Sequence, residues 1–117
     1  MRCRIIIDTD PGLDDAVAIL LALAAVDELE VMGLVAAAGN LSLAQTERNA
    51  RRICELAGRR DVPVYAGCMR PLMRPLATAE AVHTETDCDR LLLPEPTMPL
   101  QGQAAWRRFS DRDVALS

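Results

Sequence analysis

The feature that most restricts the fold of this chain is an alternation of short apolar runs with segments that favour helix. Residues 4–7 form a β-branched run, residues 29–38 form a second apolar run, and residues 63–66 form a third. Apolar runs without polar alternation are typical of parallel strands that are covered on both faces. The order strand, helix, strand, helix, strand with short links therefore predicts an α/β fold, with an open, mostly parallel sheet flanked by helices.

The two intervening segments are predicted to be helices of different character. Asp14 and Asp15 stand in the first turn of the first, and residues 16–25 are good helix formers that are apolar nearly all round, which predicts deep burial. Ser42 and Gln45 have the spacing of a capping box at the start of the second. Gly58 is expected to end that helix as a C-cap. Its charged face is expected to carry Arg48, Arg51, Arg52 and Glu55.

Composition narrows the class of protein. A chain of 117 residues is expected to form one domain, and 13 basic against 17 acidic residues argue against a nucleic-acid partner. The four cysteines form no C-x-x-C pair, so reduced, buried thiols are expected. The longest apolar run, residues 16–26, is shorter than the ~20 residues that span a bilayer. With no secretory signal at the N-terminus, these features predict a cytoplasmic protein without a membrane partner.

The chain beyond Gly67 has a different character. It is rich in proline without a sustained period and is predicted to be loop with short turns. The composition changes again after Gln101, where the chain's one Trp and one Phe lie among Arg and Asp residues. We therefore divide the chain into residues 1–100 and an atypical tail, residues 101–117. The change suggests a shifted or prematurely ended reading frame.

Four aspartates, Asp8, Asp10, Asp14 and Asp15, lie within eight positions between the first strand and the first helix. Helix capping explains Asp14 and, less completely, Asp15, because acidic side chains favour a helix N-terminus. It does not explain Asp8 and Asp10, which the period of a strand places on one side. All four carboxylates are expected to converge at the carboxyl edge of the sheet, where α/β folds bind ligands. Such a cluster favours a divalent cation.

The stretch "DTDPGLDDAVAILLAL" resembles the N-terminal motif of the inosine-uridine preferring nucleoside hydrolases, D-x-D-P-G-x-D-D-A. The segments "GLVAAAGN", "RNA", "VPVYAGCMRPL" and "LPEPTMP" also resemble parts of that family, so the resemblance covers roughly residues 3–100. It implies a nucleoside hydrolase-like fold whose N-terminal half is Rossmann-like. Residues 1–100 would be the N-terminal part of that domain.

The resemblance also implies an activity and a site. The family hydrolyses the N-glycosidic bond of ribonucleosides to ribose and free base with the help of one Ca²⁺ ion, and its members are usually dimers or tetramers. By similarity, Asp10 and Asp15 would be calcium ligands, and Asp8 would support them in the same metal cluster. Asp14 would be the general base that deprotonates the attacking water.

Two further residues would contact the substrate by similarity. Asn40 would bind the ribose, although an asparagine there also fits a turn. His83, the one histidine, lies where the family has H-G-x-x-G, but here the sequence is "HTETD" and the glycines are missing, so a structural or surface role is the alternative.

Other functions stay open from the sequence. The chain lacks the later family segments that supply further calcium and ribose contacts, which leaves a non-catalytic, shortened relative as one alternative to an active hydrolase. "DTDPG" also resembles the D-x-D opening of haloacid dehalogenase-like phosphatases. That pattern usually has threonine or valine where this chain has Gly12, so an aspartate-dependent phosphatase is the less favoured alternative.

Overall fold

A computed structural model describes residues 1–39, 41–69, 73 and 93–102. Its centre is a four-stranded, wholly parallel sheet with the strand order β1-β2-β3-β4. The elements are β1 (Cys3–Thr9), α1 (Leu13–Ala24), β2 (Leu29–Ala36), α2 (Leu43–Leu56), β3 (Val64–Ala66) and β4 (Leu100–Gln101). The predicted α/β class and the first five predicted elements are confirmed. None of the helices in the described ranges is long and apolar enough to cross a lipid bilayer.

The longest strand pair, β1 with β2, contains a β-bulge. Ile5 pairs with Val31 and Ile6 pairs with Gly33, so Met32 is an extra residue without a partner on β1. Two strand residues three positions apart normally point to opposite faces of a sheet. The bulge restores the phase, and Val31 and Leu34 both join the buried core under the helices.

Both helices lie on the same face of the sheet. Helix α1 packs against β2 and α2, and α2 packs against β2 and β3. This follows from the strand order, because right-handed crossovers between successive neighbouring strands place their helices on one side. The core between the layers contains Ala16, Ile19, Leu23, Val31, Leu34, Ala36, Ala50, Ile53, Cys54, Val62, Val64 and Met98.

The expected deep burial of the first helix is wrong for this structure. Ile19 and Leu23 are buried, but Leu13, Val17 and Leu21 retain 55%, 55% and 67% of their accessible surface. These three residues are spaced by four, so they form one stripe on the outer side of α1. The apolar composition of α1 would allow it to be covered on all sides, but within the described residues it has neighbours on one side.

The N-terminal end of α2 agrees with the sequence in position, but its C-cap lies one residue before the predicted Gly58, and one predicted contact is missing. The helix begins after Ser42 and its C-cap is Ala57, followed by Gly58 in the left-handed conformation with φ 68°. Ser42 Oγ, however, donates to the Gln45 side-chain oxygen at 3.3 Å and makes no bond to a backbone N–H of the first turn. The predicted capping-box contact, in which the Ser42 side chain accepts a backbone N–H of the first turn, is therefore not formed.

The charged face of α2 holds a segment that comes from much later in the chain. Glu55 Oε1 accepts the backbone N–H groups of Thr97 and Met98, each at 2.7 Å. Arg51 Nη1 donates to the Met98 carbonyl oxygen at 3.2 Å, and Arg52 Nε donates to the Pro94 carbonyl oxygen at 3.2 Å. These contacts bring the two-residue strand β4, which the sequence did not predict, to the edge of β3.

The three cysteines in the described ranges are all free thiols. Cys54 is buried on α2, and burial raises the pKa of its thiol to about 12. Cys3 and Cys68 are exposed, so the expectation of buried thiols is wrong for these two. The fourth cysteine, Cys88, lies outside the described residues.

Candidate active site

The segments that follow β1, β2 and β3 meet at the carboxyl edge of the sheet. The Thr9 carbonyl oxygen accepts the N–H of Ala37 at 2.9 Å, and the N–H of Ala38 donates to the Cys68 carbonyl oxygen at 2.9 Å. Backbone bonds of this kind continue the parallel pairing past the ends of the strands. They make this edge a fixed frame for the side chains that lie on it, at the place where open α/β sheets bind ligands.

Two of the predicted aspartates lie side by side on this edge. The pKa of Asp15 is raised, first because burial disfavours its charge and also because of the neighbouring carboxyl group of Asp10. Two hydrogen bonds oppose the rise by stabilising the carboxylate: Thr9 Oγ1 donates to Asp15 Oδ2 at 3.1 Å, and the Asp10 backbone N–H also donates to it. The site is therefore a like-charged carboxylate pair held by backbone and hydroxyl donors. Thr9, which is buried, was missed by the sequence reasoning.

Gly39, in the segment after β2, lies directly against Asp10. A Cβ atom placed on Gly39 would lie 3.0 Å from Asp10 Cγ and 3.1 Å from Asp10 Cβ, and closer still to Asp10 Oδ2. These separations are shorter than the ~3.5–4.0 Å of an ordinary carbon contact. The glycine thus leaves the space that the Asp10 carboxyl group occupies.

The turn between the aspartates is tied to the second helix. Asn49, on α2, is buried, and its Nδ2 donates to the carbonyl oxygen of Pro11 at 3.1 Å. Pro11 is itself fully buried. Asn49 belongs to the segment "RNA" that resembles the family, and no role was predicted for it.

Of the other four predicted site residues, the structure describes two. Asp8 and Asp14 are exposed. The convergence of all four carboxylates is not what the structure shows: in the described residues, no three Asp, Glu, His or Cys side chains are grouped to hold one ion. Strand β1 ends at Thr9, so the strand period that was expected to align Asp8 with Asp10 no longer applies at Asp10. Asn40 and His83 lie outside the described residues.

The carboxylate pair fits part of a calcium site. Asp10 and Asp15 provide hard oxygen donors, and a cation beside them would relieve their mutual repulsion. Ca²⁺ takes about six to eight oxygen ligands, more than the four oxygens that two carboxylates contain. The pair can therefore be one side of such a site and would need further ligands.

A parallel α/β sheet with an acidic pair on its carboxyl edge defines a ligand-binding class of fold. Within that class, the chain matches the profile of the inosine-uridine preferring nucleoside hydrolases over residues 5–115, and it belongs to that family. The resemblance found in the sequence is confirmed.

Individual relatives agree with this assignment. The chain is 48% identical over 94 residues to an uncharacterised protein of Schizosaccharomyces pombe, covering 80% of this chain and 30% of that protein. It is 46% identical over 105 residues to the pyrimidine-specific ribonucleoside hydrolase RihA of Escherichia coli, covering 90% of this chain and 33% of RihA. The chain thus spans about a third of the length of these relatives.

The fold is also similar to solved structures. The purine-preferring ribonucleoside hydrolase from Gardnerella vaginalis superposes with a TM-score of 0.79 at 26% identity, covering 93% of this chain and 35% of that one. The nucleoside hydrolase-like fold expected from the sequence is therefore confirmed.

Proposed function

We propose that this chain contributes to the hydrolysis of the N-glycosidic bond of ribonucleosides, giving ribose and a free base. The observation that carries the proposal is the adjacent Asp10 and Asp15 carboxyl groups, which lie within the family motif at the carboxyl edge of the sheet. Similarity to the E. coli and G. vaginalis hydrolases supports the same activity.

We further propose that the site works with Ca²⁺. Asp10 and Asp15 would hold the ion from one side, and Asp8 is retained as a supporting acidic group. Bound there, the ion would supply positive charge that orients hydroxyl groups and water.

Different residues of the chain have different proposed roles in the reaction. Asp14 is exposed in the first turn of α1, where its carboxylate can accept a proton from a water molecule that approaches from solvent. Thr9 and the Asp10 N–H donate to Asp15 and restrict the orientation of its carboxyl group, which would hold the ion from one side. Glycoside hydrolysis passes through an oxocarbenium-like state, and anionic oxygens close to it are stabilising.

The proposed substrate class is the ribonucleosides as a group. One relative is named pyrimidine-specific and a structural neighbour purine-preferring, so what their substrates share is the ribose. We propose that the carboxylate edge recognises that sugar, with Asn40 and His83 as further contacts by similarity. A cytoplasmic location and assembly into a homo-oligomer remain predictions.

The test is an assay of ribose release from inosine and uridine by the purified chain, with Ca²⁺ and with a chelator. We expect calcium-dependent release that Asp10→Asn and Asp14→Asn abolish. Asp27→Asn, at an exposed position between α1 and β2, is the matched control and should behave like the wild type. Folded protein that binds Ca²⁺ but releases no ribose would identify a non-catalytic relative.

A further inference from the structure

The contact between Asn49 and Pro11 joins two distant parts of the chain. The bond from Asn49 Nδ2 to the Pro11 carbonyl oxygen is 3.1 Å long and bridges 38 positions of sequence. Asn49 retains 5% of its accessible surface. A buried carbonyl oxygen needs a donor, because water cannot reach it. This long-range contact supplies one from outside the loop.

The loop that receives this bond runs from Asp10 to Gly12, and its two ends are held by different contacts: the Asp10 N–H donates to Asp15, and the Gly12 carbonyl oxygen accepts the N–H of Ala16. Pro11 has no N–H to donate. Gly12 is the N-cap of α1, where no side chain bonds to the first turn. No atom lies within 4 Å of the place where a Cβ of Gly12 would be. Between these two ends, the bond from Asn49 ties the middle of the loop to α2.

We propose that Asn49 is a positioning residue, whose buried amide holds the Pro11 carbonyl and thereby sets Asp10 and Asp15 side by side. The contact between Asn49 and Pro11 supports the positioning role directly, and the importance of that role for catalysis rests on the proposed function. The hydrogen bond that Asn49 donates goes to the loop backbone at Pro11. It acts through the loop, as outer partners do when they orient the ligands of a metal.

The opposing explanation is that Asn49 only stabilises the packing of α2. Two substitutions separate these roles. Asn49→Ala removes the amide, and Asn49→Asp keeps its volume but replaces the donor with a carboxylate that faces a carbonyl oxygen. Cys54→Ala is the control, because Cys54 is fully buried on the same helix and packs in the core. A pure packing role would leave the acidic pair unchanged in every Asn49 variant that folds.

The first readout needs neither metal nor activity. Amide hydrogen exchange at Asp10, whose N–H donates to Asp15, and at Ala16, whose N–H donates to the Gly12 carbonyl oxygen at 3.1 Å, reports how firmly the loop is held below the unfolding temperature. We expect exchange there to rise at least tenfold in both Asn49 variants relative to Cys54→Ala, and the ¹³C shifts of the Asp10 and Asp15 carboxyl carbons to move in Asn49→Ala. Unchanged exchange and unchanged carboxyl shifts in a folded Asn49→Ala protein would overturn the proposal.

The second readout is calcium affinity by calorimetry. Loss of an outer partner typically weakens metal binding by about 10–100-fold, so we expect a loss in that range for both Asn49 variants and none for Cys54→Ala. Equal affinities in the Asn49 variants and the wild type would count against positioning. A wild type that neither binds Ca²⁺ nor releases ribose would refute the proposed function instead, and the exchange and shift measurements would still decide the role of Asn49.

Discussion

Adding one methyl group at Gly39 should disable the acidic pair without altering any charged residue. The substitution Gly39→Ala places a Cβ atom 3.0 Å from Asp10 Cγ and 3.1 Å from Asp10 Cβ. Among the described glycines only Gly58 has a positive φ, so the backbone at Gly39 accepts alanine and the effect is steric. The carboxyl group must therefore move away from its place beside Asp15.

The size of the effect follows from these distances. Ordinary carbon contacts are ~3.5–4.0 Å, so the Asp10 carboxyl group must shift by about 0.5–1 Å. A misplacement of about 1 Å can cost around 100-fold in rate. That factor corresponds to about 2.7 kcal/mol of transition-state stabilisation.

The assay compares Gly39→Ala with Gly12→Ala. Both add the same methyl group beside the same loop, but the Gly12 methyl meets no atom within 4 Å. We expect kcat/KM for ribose release to fall by about 100-fold in the first variant and to stay close to the wild type in the second. Calcium affinity should follow the same order. Equal behaviour of the two variants, or full activity in Gly39→Ala, would refute the steric argument.

Three further predictions concern the scaffold. Ile53→Ala should lower the free energy of unfolding in urea by about 2–5 kcal/mol, because Ile53 is 0% exposed, whereas Leu56→Ala at a 58% exposed site should change it by less than about 0.5 kcal/mol. Glu55→Gln should speed amide exchange at Thr97 and Met98. The hydrogen bonds that these two residues donate lower the pKa of Glu55. The stabilisation of the fold by the Glu55 carboxylate is therefore complete above the ordinary pKa of a glutamate, ~4.3, and it is lost as the pH falls through the lower pKa of Glu55 in the folded protein. Cys54, with its pKa raised to about 12, should resist a thiol reagent at pH ~8 that labels the exposed cysteines, until denaturant is added; labelling of the native protein at Cys54 would contradict its burial.

The first three strands and both helices were predictable because each has a local cause. The runs of apolar residues, the Pro11-Gly12 break and the glycine at the end of α2 act over a few positions. Strand β4 was not predictable in this way. It is two residues long, and its place depends on contacts that Glu55 and Arg51 make with residues more than forty positions away.

The site was predictable in part for a similar reason. The sequence identified Asp10 and Asp15, which lie together, but extended the strand period past Thr9, where the strand ends. The roles of Thr9, Gly39 and Asn49 depend on through-space contacts with the loop. The exposed stripe on α1 was missed because apolar residues indicate what a helix can bury and do not identify its neighbours.

The consecutive order of the strands has a consequence for how the chain folds during synthesis. The acidic pair, Thr9 and Gly39 all belong to the first 39 residues, which form one strand–helix–strand unit in the structure. Domains generally fold as units, also during synthesis. We therefore expect this unit to reach its final geometry together with α2, whose Asn49 donates to the Pro11 carbonyl oxygen. The carboxylate pair would then acquire its fixed geometry only when α2 has been synthesised and closes over Pro11.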